Sequence, residues 1–141
     1  KWHEMMFKDT MEYIAGKIRV HKIRVTGSRT VFPHPENLPK LLRDFFNWYG
    51  EEEKKTNPVE LAALVHLKFV SIHPYSDGNG RVSRLLANYV LKRHGYPLLN
   101  IKFGDRMAYY KSLESSQIND KPKHFVRYFL NRCLKYNGKY A

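Results

Sequence analysis

Residues 73–84 read His73-Pro74-Tyr75-Ser76-Asp77-Gly78-Asn79-Gly80-Arg81-Val82-Ser83-Arg84, and they bring together an imidazole, a carboxylate, two glycines and two guanidinium groups. His73 is the one group in this stretch that can accept a proton near neutral pH, so it is the candidate general base. Gly78 and Gly80 flank Asn79 and allow unusual backbone torsions, through which successive N–H groups can converge on one point. If a helix starts there, its dipole adds to the effect and the expected occupant is a phosphate. Arg81 and Arg84 lie three apart, share a helix face, and can reach the same anion with planar, multi-donor groups. Asp77 would repel a bare phosphate. A magnesium ion removes that objection, because it typically takes one or two carboxylates together with substrate phosphates. Singly, these residues read as a capping histidine, a turn and a solvated basic face. In this order and spacing they read as a phosphate site.

The elements that must position this stretch are legible on both sides. Pro58 to Ile72 carries apolar residues at Leu61, Leu64, Val65, Phe69 and Ile72, a helical pattern that Pro74 stops. Val82, Leu85, Leu86, Tyr89, Val90 and Leu91 repeat at helical spacing until Gly95. The chemistry therefore falls on the loop of a helix–loop–helix.

The stretch resembles the signature of Fic-domain proteins, H-P-F-x-D/E-G-N-G-R-x-x-R, with Tyr75 in place of the usual phenylalanine. That resemblance implies an all-α fold, a Fic-type helical bundle with a short β-hairpin flap. It also implies protein adenylylation (AMPylation): transfer of AMP from Mg-ATP to a Ser, Thr or Tyr hydroxyl of a target protein. His73 is then the base, and Asp77 holds the magnesium between the α- and β-phosphates. Gly78 and Gly80 let the backbone wrap the phosphates. Asn79 holds the α-phosphate, Arg81 contacts the β-phosphate region and Arg84 holds the γ-phosphate. Removal of AMP by the same site stays open, as does transfer of another nucleotide such as UMP.

The flanking chain fits the same frame. Trp2 to Ile14 reads as a first helix with Met5, Met6, Phe7, Met11, Tyr13 and Ile14 on a core face, closed by Gly16. From Lys17 to Phe32 apolar and polar residues alternate around Thr26-Gly27-Ser28, the pattern of a β-hairpin, with strands near Val20 to Val25 and Arg29 to Phe32. In Fic proteins this segment is the flap. The resemblance thus implies that Val20, His21, Lys22, Ile23, Arg24 and Val25 pair with a target by strand addition. A helix follows from Pro35 or Glu36 to Tyr49, with Leu38, Leu41, Leu42, Phe45, Phe46 and Tyr49 as its buried stripe. Asn57-Pro58 is an N-cap followed by proline at the first helical position, and His66 reads as a core histidine. Phe103 to Gln117 is helical, and the resemblance implies that Tyr109, Tyr110 and Gln117 line the adenosine pocket. Gln117 replaces the family's asparagine there. Pro122 to Tyr136 closes the fold with Phe125, Tyr128, Phe129, Leu130 and Leu134 turned inward.

A chain of 141 residues suits one domain. Its 43% hydrophobic content is that of a packed globule. One cysteine, Cys133, leaves no internal disulfide and suits a reducing compartment, so a cytoplasmic setting is expected. No run approaches the ~18 consecutive apolar residues of a membrane helix. Opening at Lys1, the chain is expected to be the excised core of a longer protein. The net charge of +12 spreads from Lys17 to Arg29, over Lys54-Lys55, Lys92-Arg93 and Lys121 to Arg132, and from Lys135 to Lys139. It suits a polyphosphate ligand, and it keeps open a basic nucleic-acid-binding module. The family's inhibitory pattern S/T-x-x-x-E-G/N has no counterpart, since the sole match in spacing, Thr56 to Glu60, is followed by Leu61. An inhibitory helix or antitoxin partner is expected outside the chain, which should be competent by itself. A homodimer stays open.

Overall fold

The helix over Pro58–Ile72 is the centre of the molecule because its sequence leaves it almost no polar face. Val59, Leu61, Ala62, Ala63, Val65, His66, Leu67, Phe69, Val70 and Ile72 are all buried. A helix apolar all round must be covered on every side. The computed structural model describes residues 1–138 and supplies that cover with helices alone: α1 (Trp2–Phe7), α2 (Leu38–Glu52), α3 (Pro58–Ile72), α4 (Asn79–Arg93), α5 (Arg106–Asn119) and α6 (Lys123–Asn137). Single 3-10 turns at Pro35–Asn37 and Phe103–Asp105 lead into α2 and α5. α4 packs against α3, as do α2 and α6, and α5 pairs with α6. Phe125 and Phe129 of α6 are fully buried, each worth roughly 1.5–3 kcal/mol of transfer free energy. The end of the basic stretch, Lys139, lies outside the described residues.

The start of α3 follows the expected chemistry. Asn57 Oδ1 accepts from the backbone N–H of Val59 at 3.0 Å and of Glu60 at 3.4 Å, and Pro58 fills the first helical position, where no donor is needed. Asn57→Ala should cost about 1 kcal/mol. Thermal denaturation should register this as a melting temperature lower by roughly 3–4 °C. An unchanged melting point would mean the cap is redundant.

Several expectations are corrected. α1 ends at Phe7, not Ile14, and residues 8–16 form turns in which the Phe7 carbonyl accepts from both Thr10 and Met11. The cause is tertiary: the Gly16 N–H donates to His3 Nδ1 at 2.9 Å, which folds the chain back over the helix. The core face is His3 and Phe7, whereas Met5 and Tyr13 are exposed. Phe46 and Leu134, expected inward, are more than half exposed.

The hairpin is the largest correction. The turn at residues 25–28 forms, with the Ser28 N–H donating to the Val25 carbonyl at 3.0 Å, but no strand is present among the described residues. The limbs are extended without a ladder between them, and the groups that could have paired turn elsewhere. Arg19 N–H donates to the Pro74 carbonyl at 2.9 Å and Arg29 N–H to Glu114 at 2.6 Å. A lone two-stranded ribbon is marginal in water, and anchoring to helices wins over cross-strand pairing.

Candidate active site

His73 is the C-cap of α3 and sits in the left-handed region at φ 51°, ψ 57°. Nδ1 lies 3.0 Å from the Val70 carbonyl. A carbonyl only accepts, so Nδ1 carries the hydrogen and the lone pair is on Nε2. Burial pushes the His73 pKa below its ordinary 6.5; the hydrogen bond to Val70 opposes this and the nearby Arg19 charge adds to it. The sign suits a proton acceptor, since the shift favours the unprotonated ring at neutral pH. The Phe32 ring packs 4.2 Å from the imidazole, centroid to centroid.

Beyond Pro74 the loop is closed by Asn79. Its Oδ1 accepts from Tyr75 N–H at 2.9 Å, its Nδ2 donates to the Tyr75 carbonyl at 2.8 Å, and it is buried. Both ends of that amide are therefore engaged with the loop itself. What Asn79 offers an anion is its backbone N–H, at the first position of α4, where N–H groups have no intrahelical partner. Of the two glycines flanking Asn79, Gly78 uses a positive torsion, at φ 83°. A Cβ there would meet Phe7 Cε2 at 2.6 Å. Gly80 is helical, and its bare Cα admits Arg84, whose Nη1 would lie 3.3 Å from a Cβ. Beneath the loop, His3 Nε2 donates to the Asp77 carbonyl at 2.8 Å and its ring stacks on Tyr75 at 3.7 Å. The tyrosine that departs from the family pattern is thus a packing element.

The charged side chains surround this cradle. The Asp77 carboxylate accepts from Gly78 N–H at 2.6 Å and lies 3.7 Å from Arg81. Both side chains are half exposed, a loose surface pair that a ligand could rearrange. Among the described residues no group of three or more His, Cys, Asp or Glu side chains is placed to hold a metal. A single accessible carboxylate beside the α4 N-terminus is a donor that magnesium could use where phosphate and water supply its other ligands. The Arg81 guanidinium lies 4.7 Å over the Phe7 ring. Arg84 Nη1 reaches Tyr109 Oη at 3.5 Å, and that hydroxyl lies 3.0 Å from His66 Nε2. His66 is the expected core histidine, fully buried, its pKa lowered to about 3 by burial and then by the Arg84 charge.

The expected nucleoside residues are divided. Tyr109 is buried, with its hydroxyl against Arg84. Tyr110 is half exposed beside it, ring centroids 5.1 Å apart, and presents a face to the outside. Gln117, two turns after Tyr110 on α5, has its amide engaged: Oε1 accepts from Thr30 Oγ1 at 2.9 Å and Nε2 donates to Ser71 Oγ at 3.1 Å. A cavity of about 480 Å³ takes in Thr30, Ser71 and Gln117 without either tyrosine. Together with Glu114, which accepts from Arg29 N–H and Ser28 Oγ, Gln117 fastens residues 28–30 to α5. Replacing both with alanine should raise amide hydrogen exchange across residues 26–32 by at least tenfold and leave α3 unchanged. Unaltered exchange there would show that the fastening lies elsewhere.

Residues 20–25 stand at the edge of the site. Val20 is 89% exposed, and the backbone groups of Lys22, Ile23 and Arg24 find no hydrogen-bond partner among the described residues. Sequence reasoning did not single out Arg19, His3 or Glu114, and it read Phe7 only as a core residue. Arg19 reads as a polar position in a strand, and its signal is burial, which a sequence does not display.

A second cavity, of about 360 Å³ between α1, α2, α3 and α4, includes Tyr75 and Val82 but none of His73, Asp77, Arg81 or Arg84, so it is packing space beneath the loop.

Residues 1–91 match the model of the Fic/DOC family. The chain is similar to a protein adenylyltransferase Fic of Nematostella vectensis, 42% identical over 122 residues, which are 86% of this chain and 28% of that protein. It is similar too to the protein adenylyltransferase fic-1 of Caenorhabditis elegans, 38% identical over 81% of this chain and 22% of that protein. It thus spans about a quarter of the length of these relatives. Among solved structures, the C. elegans Fic-1 fragment of residues 134–508 superposes with a TM-score of 0.85 at 32% identity, over 98% of this chain and 40% of that one. A structure of IbpAFic2 covalently tethered to Cdc42 superposes with a TM-score of 0.64 at 25% identity, over 85% of this chain and 41% of that one.

Proposed function

This chain belongs to the Fic/DOC family, and from that premise we propose that it transfers AMP from Mg-ATP to a Ser, Thr or Tyr hydroxyl of a target protein. The observation that carries the reading is the His73 tautomer: with Nδ1–H held by Val70, Nε2 is left as a free base at the mouth of the α4 N-terminus. The target hydroxyl gives its proton to Nε2 as its oxygen bonds to the α-phosphorus. The bond from that phosphorus to the β-phosphate oxygen breaks, and pyrophosphate leaves. The chain contributes position and charge, which is most of what such transfers require. The free N–H groups of Asn79 and Gly80 face the α-phosphate, Arg81 and Arg84 take the β- and γ-phosphates, and Tyr109 braces Arg84. Asp77 would hold magnesium, which neutralises phosphate charge when bound. Tyr110 offers a face to the adenine.

The target is received along residues 20–25. The backbone groups of Lys22, Ile23 and Arg24, without partners among the described residues, and the exposed Val20 fit strand addition. That the structural neighbour IbpAFic2 is covalently tethered to Cdc42 supports a protein as the target. Calorimetry with ATP, GTP, CTP and UTP, each with and without magnesium, tests the substrate half of the reading. Magnesium-dependent binding of ATP above the others is expected. Preference for UTP would reassign the transferred group, and binding of none would remove the transferase reading.

A further inference from the structure

Arg19 is 3% exposed, yet no carboxylate among the described residues pairs with it. Its Nε donates to the His73 carbonyl at 2.7 Å, Nη1 to the His21 carbonyl at 2.9 Å and Nη2 to the Pro33 carbonyl at 2.8 Å. Its own backbone N–H donates to the Pro74 carbonyl at 2.9 Å. A guanidinium buried without a counter-ion is costly unless its donors are satisfied, and here three carbonyls satisfy them. Those carbonyls come from three places: the residue that carries the base, the start of the 20–25 edge, and the far end of the segment where it enters α2.

From this geometry we propose that Arg19 is a positioning residue, a clamp that locks residues 17–34 to the His73 turn so that edge and base move as one body. The inference rests on the transferase reading given above. The left-handed turn at His73 ends α3 and turns the carbonyl toward Arg19. Phe32, beside the clamped Pro33, packs on the His73 ring. Both limbs of the segment are therefore referred to one imidazole. The planar fork of arginine reaches three divergent acceptors at once, and the point charge of lysine cannot. A target strand laid on residues 20–25 then meets Nε2 at a fixed register, and a misplacement of about 1 Å in such a geometry can cost ~10²-fold in rate.

The test compares wild type, Arg19→Met and Arg19→Lys by hydrogen exchange, by calorimetry with Mg-ATP and by the rate of AMP self-transfer. In Arg19→Met, exchange should rise at least tenfold in residues 17–34 and 73–78 together, with α3 and α6 unchanged. Mg-ATP affinity should stay within about twofold while self-transfer falls ~100-fold; Arg19→Lys should recover part of both losses. Unchanged exchange in residues 17–34, a wild-type transfer rate despite a loosened segment, or exchange rising across all helices in both variants would overturn the clamp. If the wild type transfers no AMP to itself, the exchange comparison still decides whether Arg19 clamps the segment. The transferase reading is then decided separately, by whether the wild type binds Mg-ATP.

Discussion

His73→Asn and His73→Ala are both expected to lose AMP transfer by ~10²–10⁴-fold, the usual worth of a general base, with Mg-ATP affinity close to wild type. The two substitutions are paired for a structural reason. His73 sits at φ 51°, a conformation that asparagine tolerates and alanine resists. Asparagine keeps the C-cap and the carbonyl that Arg19 holds, so its loss of activity isolates the missing base. Alanine adds some strain at the turn and could loosen the loop slightly. Neither change touches the N–H groups of α4, Asp77, Arg81 or Arg84, so calorimetry should find ATP still bound. Transfer surviving in His73→Asn would dismiss His73 as the base.

Gly78→Ala is expected to be the most damaging single-methyl change in the site. The position has φ 83°, ψ 4°, which costs an L-residue roughly 1–2 kcal/mol. The new methyl would also lie 2.6 Å from Phe7 Cε2 and 3.0 Å from Cζ. Phe7 is buried beneath the loop with Arg81 over its ring, so it cannot swing aside without releasing Arg81. Overpacking of this kind adds roughly 1–3 kcal/mol. The expected result is a clearly lower melting temperature and an Mg-ATP affinity reduced at least tenfold, because the turn that aims the α4 N–H groups is displaced. Phe7→Leu in the same chain should relieve the contact but not the torsion, and so recover only part of the loss. Gly80→Ala makes the contrast. Its backbone is helical and its nearest neighbour is the movable end of Arg84, so the fold should tolerate it. A Gly78→Ala protein with wild-type melting point and ATP affinity would show that the turn is not the cradle.

The site loop and its two flanking helices were legible in the sequence because local signals agree there. Asn57-Pro58 starts α3, Pro74 forbids its continuation, and the apolar residues of α3 and α4 keep helical spacing. The hydrogen-bond partners of Asn79 and Gln117 were not legible. An amide can face a ligand or close a loop, and only the positions of Tyr75, Thr30 and Ser71 decide which. The hairpin was misread for a related reason: alternation from Lys17 to Phe32 reports an extended chain with two unlike faces, but not what the backbone bonds to. Here that partner is the Pro74 carbonyl and the Glu114 carboxylate, residues far along the chain. Arg19 shows the limit most plainly, since a buried arginine and an exposed one are the same letter. Likewise Phe7 and Tyr13 read as one apolar face, until the bond from Gly16 to His3 ends the helix between them.

The most direct measurement is intact-mass spectrometry of the purified chain after incubation with magnesium and ATP, wild type beside His73→Asn. An AMP adduct on the wild type that is absent from the variant, with both binding ATP in calorimetry, is the expected result. An equal adduct on both proteins, or no ATP binding by the wild type, would contradict His73-dependent nucleotidyl transfer at this loop.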